Sequence, residues 1–146
     1  VLSEVSDWCR SRGLKLRALI LFGSYVYNAT KARDVDVIVV VDRISNPKEL
    51  ASLATEIATR LRRAAGRVFD VLLFDEESFY ENLQPGTVLS GLVMGFKALH
   101  DEIGVSEAVE ELAKHLAGSG YRYCKGRRCV DLSALARAKI GSLGST

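Results

Sequence analysis

The sequence of 146 residues predicts an α/β fold of the α+β type, with a small mixed sheet, helices packed on one face, and a candidate site on the open edge of that sheet. Two observations support this prediction. First, short apolar runs of strand length, such as Leu16–Phe22 and Val35–Val41, are separated by stretches with helical spacing. Second, glycine, proline, asparagine or aspartate bounds most of these runs, as expected where strands and helices meet turns.

Composition excludes several classes of protein. Apolar residues make up 48% and charged residues 26% of the chain, which is ordinary for a globular protein. No apolar stretch approaches the length that spans a bilayer, and the N-terminal residues are unlike a signal peptide. Three cysteines form an odd set without paired spacing, which favours reduced thiols. We therefore expect a cytoplasmic protein with no membrane partner.

The net charge of +2 is unevenly distributed. Residues 118–146 contain six basic residues and only one acidic residue, Asp131, so the remainder of the chain is slightly acidic. We expect a core domain over residues 1–118 and a basic C-terminal extension over residues 119–146, packed on the same domain. The basic residues form either a solvated surface or a contact for an anionic partner.

The first elements follow from capping residues and apolar spacing. Ser3 is expected to cap a helix that Gly13 ends, and Leu16–Phe22 forms the first strand. Residues 24–33 are expected to form a short helical turn and a polar loop. The second strand begins at Asp34 and runs to about Val41.

A second set of signals predicts a helical connection to a third strand. Asn46 followed by Pro47 and, two residues later, Glu49 is a strong helix start. The helix has a core-facing stripe and ends at Gly66; the stripe comprises Leu50, Leu53, Ala54, Ile57 and Leu61. The third strand is Arg67–Phe74, after which Asp75 is expected to cap a helix that runs to about Leu83.

The remaining elements have weaker signals. We predict a helix over Thr87–Met94, a short strand over Phe96–Leu99 and an amphipathic helix over Ser106–Leu116. A hairpin over Tyr121–Val130 and a last helix near Leu132–Ile140 complete the chain.

Two aspartates at the start of the second strand carry the strongest chemical signal. Side chains alternate along a strand, so Asp34 and Asp36 point to the same face. Two adjacent carboxylates resist ionising together unless a cation lies between them, and hard oxygen ligands of this kind suit Mg²⁺. The alternative is that both aspartates merely end a loop before a buried strand.

Asp70 is the expected third member of this acidic set. It shares a strand face with Leu72 and Phe74, where a carboxylate is out of pattern. Asp42 and Asp75 are the alternatives, but both lie at strand ends, where turns favour aspartate for conformational reasons.

The turn after the first strand is a candidate phosphate site. Gly23 permits close backbone approach, and Ser24 offers a hydroxyl and an amide to an anion, although it can also cap the following turn. Lys31 and Arg33 could neutralise phosphate charge from the loop, or could simply be solvated.

These residues resemble a known signature. Gly23 and Ser24, nine intervening residues, and then Asp34 and Asp36 before an apolar strand resemble the nucleotidyltransferase superfamily that includes DNA polymerase β. The chain is most similar to the minimal nucleotidyltransferases, which are often encoded beside HEPN-domain partners. The resemblance covers about residues 16–75 and implies a third metal-binding aspartate on a later strand, a place that Asp70 occupies.

The resemblance implies a chemistry. Asp34, Asp36 and Asp70 would hold two Mg²⁺ ions, and Gly23 and Ser24, aided from the loop, would bind the phosphates of a nucleoside triphosphate, expected to be ATP. The chain would transfer NMP to an acceptor hydroxyl, on a HEPN-type toxin, as the antitoxin of a pair. A partner subunit or a homo-oligomer would complete the cleft.

The sequence leaves other interpretations open. Tyr27 and Asn28 stand where family members commonly carry a basic residue and a glycine, which favours a binding module without turnover. A nucleic-acid enzyme that uses the basic end is a third, less favoured reading. Cys124 and Cys129 lack a second ligand pair nearby, so zinc is disfavoured and their role stays open.

Overall fold

The computed structural model describes residues 1–23, 26, 34–118, 122–125, 128–131, 134 and 136, with the backbone alone for 122–125 and 128–131. The elements in chain order are α1 (Leu2–Ser11), β1 (Leu16–Phe22), β2 (Asp34–Val41), a 3₁₀ turn (Pro47–Glu49), α2 (Leu50–Ala65), β3 (Val68–Asp75), α3 (Glu76–Asn82), a 3₁₀ helix (Val88–Met94), β4 (Phe96–Asp101), α4 (Val105–Ala117), β5 (Arg122–Lys125) and β6 (Arg128–Asp131). Four of the described strands form one sheet in the order β3-β2-β1-β4, and β5 and β6 form a hairpin.

The two central strands were predicted at their observed positions. β1 pairs antiparallel with both β2 and β4, and every residue of β2 after Asp34 is buried. Dense branched aliphatic sequence bounded by turns produces such strands because both faces lie in apolar surroundings. The sheet is mixed, as predicted, since β2 and β3 run parallel.

The connection from β2 to β3 is made by α2. The Asn46 side chain accepts a hydrogen bond from the Lys48 amide at 3.1 Å, and Pro47 opens the first turn. Leu53, Ile57 and Leu61 are the buried residues of α2, and Gly66 ends the helix in a left-handed conformation. The predicted start and end of this helix are therefore confirmed.

Apolar clusters cover both faces of the sheet. On one face, α1 and α2 pack over β1, β2 and β3 through residues such as Trp8 and Ile57. On the other face, the 3₁₀ helix and α4 pack over Ile20 and Ile38. The α+β fold class is confirmed, with one detail different from the prediction: helices pack on two faces rather than one. Amphipathic helices on both sides are required because β2 has apolar residues on both of its faces.

The N-terminal helix starts differently from the prediction. Its N-cap is Val1 without a side-chain hydrogen bond, so Ser3 is inside the helix and the predicted cap is wrong. The helix is held instead by its buried face and by an ion pair to α2, in which Arg60 Nε lies 2.8 Å from a Glu4 carboxylate oxygen. Tertiary packing thus outweighs capping at this end.

The C-terminal region matches the predicted hairpin where it is described. β5 and β6 pair antiparallel, with Cys124 opposite Cys129 in the register. Ala136 is fully buried in the cluster around α4. The division of the chain at residue 118 stays a prediction. No helix in the described part of the chain is long and apolar enough to cross a membrane.

Candidate active site

Three strands bring their polar ends together at one end of the sheet. Phe22, the last residue of β1, pairs with Asp36 of β2, and Asp36 pairs with Asp70 of β3. Adjacent strands in a sheet lie about 4.8 Å apart, so the backbones at Asp36 and Asp70 are direct neighbours. Gly23 follows Phe22 at the same end. The register therefore places the glycine turn, Asp36 and Asp70 in this order across the sheet.

The side-chain face of this row is set by alternation along the strands. Ile38 and Val40, which share a strand face with Asp36, pack in the cluster around α4. Leu72 and Phe74, which share a face with Asp70, pack against the same cluster. Asp36 and Asp70 thus occupy the same face of the sheet, at the end where the apolar layer stops.

Burial differs sharply among the three aspartates. Asp36 is only 5% exposed, whereas Asp34 and Asp70 are exposed. A carboxylate at the depth of Asp36 is costly to bury without compensating charge or hydrogen bonds. Asp36 is not without an interaction partner in the structure. The exposed Asp70 beside it leaves this end of the row open to solvent.

Gly23 lies against the Asp36 carboxylate. A β-carbon added at Gly23 would lie 2.2 Å from Oδ2 of Asp36, well inside van der Waals contact. The glycine also has a φ of +74°, in the left-handed region that side chains rarely adopt. Two independent constraints therefore require glycine at this position, and the short distance to Oδ2 places the turn backbone against the Asp36 carboxylate.

The chemistry of the acidic residues is that of ligands for Mg²⁺. Carboxylate oxygens are the hard donors that Mg²⁺ prefers, and this ion commonly takes one or two carboxylates and completes its shell with water and substrate phosphate. In the described residues, no group of three or more acidic, histidine or cysteine side chains is close enough to hold a metal ion. The paired carboxylates of Asp36 and Asp70 have the donor chemistry of a site that substrate oxygens help to complete.

Several predicted site residues lie outside the described part of the chain. These are Ser24, Lys31 and Arg33, together with the departures from the family pattern at Tyr27 and Asn28. Their roles stay predictions, as do the metal-binding and catalytic roles of Asp34, Asp36 and Asp70.

The structure also identifies residues beside the row that the sequence did not single out. Val68 pairs with Asp34, shares a strand face with Asp70 and is 45% exposed. Arg62 is exposed in the last turn of α2, just before β3. An apolar residue on a strand face gives no sequence signal of exposure, because its exposure depends on β3 lying at the edge of the sheet.

Grooves elsewhere do not mark the site. A groove of about 680 Å³ between α1 and α2 is lined by residues that include Glu4, Thr55 and Arg63. A smaller one of about 320 Å³ is lined by residues that include Cys9 and His100. Neither contains a predicted site residue, so the acidic row is the better candidate on chemical grounds.

Comparison with known proteins agrees with this geometry. Residues 2–93 match the family model described as "Nucleotidyltransferase domain", and the match includes β1, β2 and β3 with all three aspartates. The chain therefore belongs to the nucleotidyltransferase domain family. As a member of this family, it is a nucleotidyltransferase. No curated protein sequence matches it significantly.

Solved structures with the same fold come from toxin-antitoxin complexes. A toxin-antitoxin structure with AMP-PNP has 20% identity and a TM-score of 0.53 over 97% of both chains. A mutant MntA-HpeT toxin-antitoxin complex has 21% identity and a TM-score of 0.52 over 99% of this chain and 98% of that chain. A tri-AMPylated Shewanella oneidensis HEPN toxin in complex with MNT antitoxin has 19% identity and a TM-score of 0.50 over 97% and 94%. The predicted similarity to minimal nucleotidyltransferases is confirmed at the level of the fold.

Proposed function

We propose that this chain transfers AMP from ATP to an acceptor hydroxyl on a HEPN-type partner protein, as the antitoxin of a toxin-antitoxin pair. One observation carries the proposal: Asp36 and Asp70 are paired in parallel register on one sheet face, beside a glycine turn that touches the Asp36 carboxylate. Acidic side chains next to a glycine turn are parts that phosphoryl transfer can use to hold a metal ion and phosphate.

Each residue has a distinct proposed role. Gly23 lets the turn backbone approach the site, and Ser24, Lys31 and Arg33 bind the triphosphate. Asp34, Asp36 and Asp70 would hold Mg²⁺, which would neutralise phosphate charge when bound. Asp70 is exposed and accepts the proton of the acceptor hydroxyl. The hydroxyl oxygen bonds to the α-phosphorus, the bond from that phosphorus to the bridging oxygen breaks, and pyrophosphate leaves.

The choice of donor and acceptor rests on the similar structures. One of them contains AMP-PNP, and another contains an AMPylated HEPN toxin with an MNT antitoxin. We propose that a partner subunit or a second copy completes the cleft. We propose that the pair acts in the cytoplasm, where the three cysteine thiols of this chain stay reduced.

The proposal is tested by labelled transfer. The chain is incubated with Mg²⁺, ATP labelled at the α-phosphate and a co-expressed HEPN-type protein, and label on that protein is measured. We expect transfer by the wild type, loss of at least about a hundredfold in Asp36→Asn and Asp70→Asn, and retention in Asp42→Asn. Asp42 follows β2 directly but accepts a hydrogen bond from the Lys15 amide, so it is a matched control for a structural aspartate. Equal labelling by wild type and Asp36→Asn would refute the proposal.

A second function has a specific observation in its favour. In the described residues the aspartates do not form a group of three potential metal ligands. A nucleotide- or partner-binding module without turnover would not need such a group. Such a module would neutralise the toxin equally well as wild type and as Asp36→Asn, without labelling it. A nucleic-acid-modifying enzyme is the less favoured alternative. It would label RNA or DNA instead of the partner protein, and its binding would depend steeply on salt concentration.

A further inference from the structure

We infer that the open edge of β3 is the docking surface for the acceptor, and that the occupant is an extended protein segment carrying a hydroxyl side chain. The inference deepens the proposed function and rests on it. The acceptor arrives from the β3 side of the sheet and contacts residues along that edge.

The order of the row across the sheet sets the direction of approach. Gly23 lies on the β1 side of Asp36, and Asp70 lies on the opposite side. In phosphoryl transfer the attacking and leaving oxygens lie roughly in line across the transferred phosphorus. If the turn at Gly23 holds the leaving phosphates, the hydroxyl must arrive from the side of Asp70, which is the β3 side.

The β3 side of the sheet is an edge. In the order β3-β2-β1-β4, β3 pairs with β2 alone among the described strands. An edge strand has a row of backbone donors and acceptors that point away from the sheet, and an extended peptide can pair with them as an added strand. A peptide in that position would lie about one strand spacing, or about 4.8 Å, from Asp70.

The side chains along this edge suit a protein segment. Val68 is 45% exposed, two residues before Asp70 on the same face, and provides an apolar contact next to the reacting position. Arg62 is exposed in the turn of α2 that leads into β3, and Arg67 lies between that turn and the strand. This positive charge favours acidic residues beside the acceptor hydroxyl. Exposed valine and a pairing edge favour a peptide over RNA.

The test uses short synthetic peptides with one Tyr, Ser or Thr, flanked either by acidic or by basic residues. AMP transfer from α-labelled ATP and binding of AMP-PNP are measured for wild type, Val68→Ser and Val88→Ser. Val88 is 46% exposed in the 3₁₀ helix and is therefore a control of the same residue type and exposure. We expect wild type to label acidic-flanked peptides best. Val68→Ser should lower labelling by about tenfold, because it removes an apolar contact. Val88→Ser should label as wild type does, and all three should bind AMP-PNP equally.

Hydrogen exchange supplies a second measurement that does not need a variant. A bound peptide of the kind that accepts AMP should slow amide exchange in residues 68–70 of β3. Amide exchange in β4, the other edge strand, should stay unchanged. Equal labelling by Val68→Ser and wild type, protection of β4 instead of β3, or labelling confined to RNA or to folded proteins would overturn the inference while leaving transfer intact. Failure of wild type to bind AMP-PNP and to label any acceptor would instead remove the proposed function itself.

Discussion

Gly23 and Asp36 occupy adjoining space so tightly that a β-carbon on the glycine would lie 2.2 Å from the carboxylate oxygen Oδ2. The two residues are thirteen positions apart in sequence and meet because β1 and β2 pair antiparallel at this end. The closeness means that a change at the turn acts directly on the acidic site, and it makes the turn a sensitive probe of function.

Gly23→Ala is expected to abolish transfer and to destabilise the fold. The added methyl group would displace the Asp36 carboxylate, and the φ of +74° would strain alanine by about 1–2 kcal/mol. Gly66→Ala is the matched control, because Gly66 has a φ of +69° but no atom within 4 Å of an added β-carbon. Strain at Gly66→Ala should lower the free energy of unfolding in urea by a similar amount, yet this variant should retain transfer. Similar activity of the two variants would contradict a special role for the Gly23 contact.

Magnesium is expected to stabilise the protein through the same carboxylates. In the presence of ATP, saturating Mg²⁺ at a hundred times its Kd should raise the free energy of unfolding by about 2.7 kcal/mol, because the ion binds the folded state. Asp36→Asn should lose this gain, whereas Asp42→Asn should keep it. The measurement is the thermal midpoint with and without EDTA. A metal-dependent shift of the same size in Asp36→Asn would argue against Asp36 as a ligand.

Asp75 is expected to act on stability alone. Its side chain accepts a hydrogen bond from the Ser78 amide at 2.7 Å and caps α3. Asp75→Ala should therefore cost about 1 kcal/mol in urea denaturation and leave AMP transfer unchanged. Asp75→Asn, which keeps a capping oxygen, should recover most of the loss. A large fall in transfer in a folded Asp75→Ala protein would place this residue in the reaction instead of Asp70.

Cys9 is expected to make stability fall at high pH. Burial first, and the nearby Asp42 carboxylate second, raise the pKa of Cys9 from 9.0 to about 11. Because the folded pKa lies above the unfolded one, the stabilising contribution is complete below about pH 9 and is lost as the pH rises towards 11. The unfolding free energy of wild type should thus decline more steeply over this range than that of Cys9→Ala. Parallel pH profiles would contradict this account.

The sequence predicted local features well where several signals coincided. β1 and β2 were located from dense aliphatic runs, and α2 from the Asn46 cap, Pro47 and the closing glycine. Val88–Met94, predicted as a helix, forms a 3₁₀ helix whose run from Leu89 to Val93 is entirely buried, so its apolar content gave no period to read. The stretch Leu89–Val93 therefore illustrates that a fully buried segment lacks the amphipathic pattern on which the prediction depends.

The candidate site was predictable in kind but not in arrangement. Alternation along β3 predicted the face of Asp70, yet its pairing with Asp36 depends on a long-range register that no local pattern specifies. The contact between Gly23 and Asp36 likewise arises only after β1 and β2 pair. Exposure of Val68 depends on which strand lies at the edge, which follows from topology and not from residue type.

The parallel alignment of β2 with β3 has one more consequence. From Asp34 opposite Val68 to Val41 opposite Asp75, the pairing runs without a break, and the crossover through α2 sets its starting point. A slip by a single residue would turn Asp70 towards α2 and bring Phe69 and Val71 to the reactive face. The length of this crossover therefore determines whether Asp70 lies beside Asp36 on the reactive face. Lengthening or shortening it by one residue could silence the protein although every acidic group was still present.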